Sequence, residues 1–225
     1  MYRGKIIYLI GRDNWQKDDS LNHILYDYLR KTDYRIVWED PAGHMLYKLR
    51  QFESAIKILP GFLRKFNLRC CQILYGLFHW SYFSFLSDRK NEAVSLRARK
   101  LKMDIQALEP GSEIILLTRS SGGRIASLIA DEVDIRYLIC LGYPFKHPAR
   151  APEPDRFQHL ATIKTPMLII QGEQDEYGGL EVPDKYPLSP AVEIMFVKAF
   201  HDFILTENEW GKVLAKITTI LQATP

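Results

Sequence analysis

One short run carries the residue types that nucleophilic chemistry needs. Thr118-Arg119-Ser120-Ser121-Gly122-Gly123 follows the apolar stretch Glu113–Leu117 directly and opens a helical pattern. Where a strand turns sharply into a helix, a serine has its Oγ exposed, and the first helical N–H groups face a developing oxyanion. Such a turn needs small residues two places either side of the serine, because those side chains nearly collide. Gly122 provides one for Ser120, whereas Thr118 crowds the other side. For Ser121 the residue two places before is Arg119, which is far too large. Ser120 is therefore the candidate nucleophile, with a Ser/Gly-rich helix cap as the bland reading of the same run.

Two further runs supply partners. After Met167–Ile170 comes Gln171-Gly172-Glu173-Gln174-Asp175-Glu176-Tyr177-Gly178, and after Val192–Val197 comes Lys198-Ala199-Phe200-His201-Asp202-Phe203. A carboxylate on a strand-end loop can accept a proton from an imidazole and fix its tautomer, and a histidine before the last helix can face the serine. Asp175 is the candidate acid, with Glu173 and Glu176 as rivals. Asp202 adjoins His201, and neighbours on a turn point apart, so it reads as a surface group or helix cap. His159 reads as structural, and His147 follows the strand-end loop Tyr143-Pro144-Phe145. Arg119 either meets an anionic group of a substrate or pairs with a nearby acid.

These residues must be carried by a suitable frame. Six apolar runs of four to six residues, at Ile6–Ile10, Arg35–Trp38, Glu113–Leu117, Arg136–Leu141, Met167–Ile170 and Val192–Val197, read as buried strands. Helical patterns alternate with them: Leu21 to Leu29 with Ser20 as N-cap, Ile125 to Ile129, and Leu214 to Leu221. That alternation predicts an α/β fold, a mostly parallel sheet with helices on both faces. With 225 residues the chain is one domain. It buries roughly 70% of its unfolded surface and needs no metal or disulfide staple. Three cysteines, two of them adjacent (Cys70, Cys71), point to reduced thiols and a cytoplasmic setting.

The stretch 41–107 breaks the rhythm and reads as a helical insertion, interrupted near Pro60-Gly61 and Gly76. From Arg50 to Lys102 there are eleven basic and three acidic residues, although the whole chain carries only +3. Cys70–Ser87 lacks formal charge, but Gln72, Gly76, His79, Ser81, Ser84 and Ser87 make it a poor membrane span. Aromatic residues here (Tyr75, Phe78, Trp80, Tyr82, Phe83, Phe85) either roof an apolar acyl pocket or fill a core beneath solvated charges. The basic insertion could also dock nucleic acid or an anionic membrane surface, but a pI of 8.6 is only mildly basic and no nucleic-acid motif is present, so nucleic acid is not expected and a membrane surface is not the favoured partner.

From Glu113 to Phe203 the chain resembles a small α/β-hydrolase of the dienelactone-hydrolase-like group. The resemblance rests on TRSSGGR, CLGYPF, KTPMLIIQGEQDEYGG and FHDF, and on the order Ser, Asp, His after separate strands. It implies an α/β-hydrolase fold with Ser120 as nucleophile, Asp175 as acid and His201 as general base. Dienelactone hydrolases use a cysteine where this chain has Ser120, so their substrate is not carried over. The resemblance also implies an oxyanion hole from the N–H of Ser121 and, after the first strand, the main-chain N–H of Arg12 beside Gly11. Arg12 stands where relatives carry a small residue. Gly11, Arg119, Tyr143 and Tyr177 are the candidate substrate-binding residues. The expected activity is hydrolysis of an ester, thioester or related acyl bond of a small molecule, with no cofactor and no metal. A non-catalytic binding or scaffolding protein that uses its basic central helices is the alternative.

Overall fold

Six strands form at the six apolar runs: β1 (Lys5–Ile10), β2 (Arg35–Trp38), β3 (Glu113–Arg119), β4 (Tyr137–Leu141), β5 (Met167–Gly172) and β6 (Val192–Val197). They were obtained in a computed structural model that describes residues 4–11, 19–55, 60–83, 86 and 93–223. All five strand pairings are parallel, in the order β2-β1-β3-β4-β5-β6. The helices are α1 (Asp19–Leu29), α2 (Gly43–Ala55), α3 (Gly61–Phe78), α4 (Val94–Gln106), α5 (Ser121–Ile129), α6 (Val182–Lys185) and α7 (Glu207–Gln222).

Strand periodicity sorts the apolar residues into two layers. Ile6, Tyr8, Leu116, Cys140 and Ile169 face α4 and α5, meeting Leu101, Ile105, Ile125 and Ile129. Ile7, Ile115, Ile139 and Leu168 face the other way, onto Leu25 and Leu29 of α1 and Trp210, Val213 and Ile217 of α7. A sheet covered on both faces is what continuous Ile/Leu/Val runs require.

The stretch 41–107 divides in two. Its last helix, α4, contributes Ala98, Leu101 and Ile105 to the main core and is a regular crossover of the sheet. By contrast α2 and α3 build a small separate core from Ala42, Leu46, Leu68 and Tyr82. Helix α3 starts after Pro60, as the sequence suggested, but runs through Gly76 instead of breaking there. Gly76 is the point where Phe83 packs: a Cβ there would lie 2.5 Å from the ring. Tyr82 is buried, whereas Phe78 and Trp80 are exposed, so the aromatics are split between core and surface. Phe85 lies outside the described residues. Ser20 falls inside the first turn of α1 and is not its cap. No helix among the described residues is long and apolar enough to cross a membrane.

Candidate active site

The chain runs from β1 outward to β2 and then crosses back to β3, so the strand order reverses between β1 and β3. In open parallel sheets the crevice beyond the carboxyl ends at such a point is where ligands sit. Ser120 follows β3 there. Its backbone takes φ 51°, ψ −118°, a combination that costs a non-glycine residue about 1–3 kcal/mol. The sharp turn is held by a bond from the Ser120 N–H to the Leu141 carbonyl (3.1 Å) and by the start of α5 at Ser121.

Two glycines make the turn possible, in different roles from those read in the sequence. A Cβ on Gly122 would meet the Ile10 carbonyl oxygen at 2.8 Å, so this glycine lets the helix approach the end of β1. It is Gly123 that faces Thr118: a Cβ there would stand 3.1 Å from the Thr118 hydroxyl and would overlap the Cys140 sulfur. The Thr118 hydroxyl avoids the elbow by donating to the Ile139 carbonyl at 3.0 Å, inside the sheet. Burial raises the Cys140 thiol to about 12, so it stays protonated and inert beneath the elbow.

The other two strand ends bring their residues to Ser120. Ser120 Oγ lies 2.9 Å from His201 Nε2, and His201 Nδ1 lies 2.8 Å from Asp175 Oδ2. All three residues are buried. A carboxylate can only accept, so Nδ1 carries the proton and Nε2 presents its lone pair to the serine hydroxyl. Asp175 is further held by the Tyr177 N–H on Oδ1 (2.8 Å) and by Gln171 Nε2 on Oδ2 (3.0 Å). Glu176 is exposed and Glu173 half-buried, with no bond to the imidazole described for either; Asp202 points to solvent.

Several residues hold the loops, and the sequence did not single them out. Gln171, wholly buried at the end of β5, accepts from the Tyr143 N–H (2.8 Å) and donates to the carbonyls of Gly178 (2.5 Å) and Tyr143 (3.3 Å). A polar residue closing an otherwise apolar strand was the available signal. Backbone bonds from Glu173 to Val197 (2.9 Å) and from Gln174 to Ala199 (3.1 Å) join the acid and histidine loops. Gly172 permits that approach, because a Cβ would stand 2.5 Å from the Ala199 carbonyl oxygen. Phe203, fully buried at φ 59°, turns the histidine loop back into the core.

Two of the expected substrate-binding side chains are buried and bonded to main chain. Arg119 is only 3% exposed, and its guanidinium donates to the carbonyls of Leu141 (3.0 Å) and His201 while lying over the Phe203 ring. It faces inward because the β3 register turns its side chain under the histidine loop, where it braces main chain. The Tyr143 side chain is likewise buried, its hydroxyl donating to the Arg156 carbonyl (2.6 Å) beside Ser127 and His159. Tyr177, half-buried, does reach the site, its ring centroid 4.3 Å from that of His201. His147 stands behind it, edge-on at 5.9 Å. His159 accepts or donates at Ser127 Oγ (2.8 Å), and burial lowers its pKa to about 4.

The oxyanion side is described in part. Ser121 is the first residue of α5, where an N–H has no carbonyl within the helix to bond. Gly11 lies at the end of β1 against Gly122, its carbonyl accepting from Arg97 (3.1 Å), while Arg12 lies outside the described residues. No cluster of three or more histidine, cysteine or acidic side chains suited to a metal occurs among the described residues.

A strained serine elbow at the switch point of a parallel sheet defines the class to which the chain should be compared. Residues 63–223 match the family model described as the alpha/beta hydrolase domain, and the chain belongs to that family. No curated protein matches the sequence. Among solved structures, an alpha/beta-superfamily protein from Xanthomonas campestris superposes with a TM-score of 0.58 at 14% identity, covering 96% of this chain and 99% of that one. An alpha/beta hydrolase enzyme from a lagoon-sediment metagenome of Mar Chica, Morocco, gives 0.55 at 19% identity, covering 96% and 91%. The Pyrococcus furiosus esterase Pf2001 gives 0.52 at 13% identity, covering 98% and 83%. Such identities speak for the shared fold; the dienelactone-hydrolase-like subgroup stays a resemblance.

Proposed function

We propose that the protein is a serine hydrolase that cleaves an ester, thioester or related acyl bond of a small molecule. The observation that carries this reading is the Ser120–His201–Asp175 relay, with bonds of 2.9 and 2.8 Å, set on a serine with φ 51°. In this reading His201 Nε2 takes the Ser120 proton as Oγ attacks the acyl carbon. Asp175 stabilises the imidazolium that forms. The negative oxygen of the tetrahedral intermediate rests on the Ser121 N–H and on a second donor from the turn after Gly11, with the Arg12 N–H as the candidate. Losing one such donor typically costs about 10²–10³ in rate. His201 then protonates the leaving group, and an activated water releases the acyl group from Ser120.

Gly11 and Tyr177 are the substrate-side residues in this proposal, Tyr177 forming a wall beside the imidazole. We place the chain as one α/β-hydrolase domain whose insertion proper is α2 and α3. A cytoplasmic setting fits the three cysteines, which carry no disulfide. The test is a panel of short- and medium-chain nitrophenyl esters with wild type and Ser120→Ala. Turnover by wild type that falls at least about 10³-fold in the variant supports the reading. Turnover that survives Ser120→Ala, or is absent from wild type across the panel, overturns it in favour of a binding protein on this fold.

A further inference from the structure

Helix α3 presents an inverted amphipathic pattern. A surface helix normally turns its apolar stripe inward and its polar face to water. Here the inward face carries Leu68, the amide of Gln72 and the bare backbone of Gly76. Phe62, Phe66, Ile73 and Leu77, spaced at four- and seven-residue steps on the opposite side, are each more than half exposed. Leu74 and Phe78 widen that face, and Trp80 continues it beyond the helix end. From Phe62 to Leu77 the stripe runs about 22 Å at 1.5 Å per residue. A contiguous exposed apolar face of this length marks an interaction surface.

We propose that this face of α3 docks the protein on the surface of an anionic lipid bilayer. The charge of the surrounding sequence favours that occupant. Helix α3 contains three basic residues and no acidic one, and Arg50 to Lys102 has a surplus of eight positive charges, of which Arg97 pairs with Glu39 and Lys102 with Glu132. An apolar helical stripe in a basic segment is the composition of a helix lying in the plane of an anionic interface. Trp80, exposed at the C-terminal end of the stripe, is the ring type suited to the headgroup level. No described helix is long and apolar enough to span, so the attachment is peripheral. A second copy of the chain fits less well. A two-fold contact of this face with itself would bring the same positive segment of both copies together. The inference does not depend on the catalytic reading.

The experiment is co-sedimentation of the full chain with vesicles of phosphatidylcholine, alone or with about one third phosphatidylglycerol. The wild type and the variant Phe66→Ser/Leu77→Ser are compared, both substitutions being on the exposed side and so compatible with folding. Wild type is expected to sediment with the anionic vesicles, less with the neutral ones, and progressively less as salt is raised. The double variant is expected to partition at least about tenfold more weakly, having lost two large apolar anchors. Circular dichroism confirms that the variant is folded. Failure of wild type to bind anionic vesicles overturns the proposal, as does binding unchanged in the folded double variant. It is equally overturned by a dimer in light scattering that the double variant dissolves, which would assign the face to a second copy.

Discussion

Gln171 offers the sharpest test of how the proposed relay is held. Replacing it with methionine, similar in length and volume, keeps the packing and removes the amide. The buried Tyr143 N–H then loses its acceptor at 2.8 Å, and the Gly178 carbonyl loses its donor at 2.5 Å. Each buried orphan costs about 1–3 kcal/mol, so unfolding free energy should drop by about 2–6 kcal/mol. Asp175 keeps the Tyr177 N–H and the imidazole but loses the Gln171 donor at 3.0 Å. A hydrogen bond to a charged group is worth about 1.5–3 kcal/mol, which corresponds to about a 10- to 100-fold fall in kcat/KM. The fall should lie in kcat with KM little changed, because Gln171 lies behind the acid and touches no substrate in this account. Urea unfolding and the kinetics of a nitrophenyl ester that the wild type hydrolyses provide the two readings. A Gln171→Met protein as stable as wild type, with kcat/KM within about twofold, would refute the reasoning.

Other consequences follow from the same geometry. Gly123→Ala drives a methyl into the Cys140 sulfur and should lower stability by about 1–3 kcal/mol. Adding Cys140→Ala should recover much of that loss in thermal unfolding, since the overlapping atom is then gone. Arg119→Met should reduce kcat more than about tenfold for neutral and anionic esters alike, because it removes the brace on the His201 carbonyl; a rise in KM confined to anionic esters would instead mark a substrate contact. His159 is held neutral, its pKa lowered to about 4 by burial and then by Arg124, from an ordinary 6.5. Between those values the unfolded chain binds the extra proton, so the stability it contributes is full above pH 6.5 and is lost as pH falls towards 4. Allowing for the part of the ring that water reaches, the loss is on the order of 1–2 kcal/mol. Denaturant unfolding at pH 7 and pH 5 should show it in wild type and less of it in His159→Gln.

The strands were legible because a sheet covered on both faces leaves an unmistakable trace: Ile6–Ile10 and Met167–Ile170 have no other comfortable conformation. Strand ends were less so. Arg119 and Gln171 continue their strands as polar residues, which sequence periodicity reads as loop, yet their hydrogen bonds belong to the site. Ser120, Asp175 and His201, which the structure links by hydrogen bonds, were singled out by their order, and Thr118 by its position two before the serine. The glycine that relieves it was misread, because the helix turn brings Gly123, one residue further, against Thr118. Arg119 and Tyr143 looked like pocket residues by proximity in sequence, but the direction of a side chain at a strand end depends on sheet register, which a single sequence does not give. Gly76 looked like a break for want of a visible partner; Phe83, seven residues on, is that partner. The exposed side of α3 was unreadable for a related reason. Its apolar residues are abundant on nearly every side, so only the packing against α2 shows which are left in water.

The central claim is that Ser120 Oγ becomes covalently acylated with His201 as the base. Reaction with a fluorophosphonate followed by intact-mass measurement and peptide mapping tests it directly. The account predicts a single adduct on the peptide containing Ser120, absent in Ser120→Ala and slowed by orders of magnitude in His201→Ala. An adduct that persists in Ser120→Ala, or maps to Ser121, would contradict it.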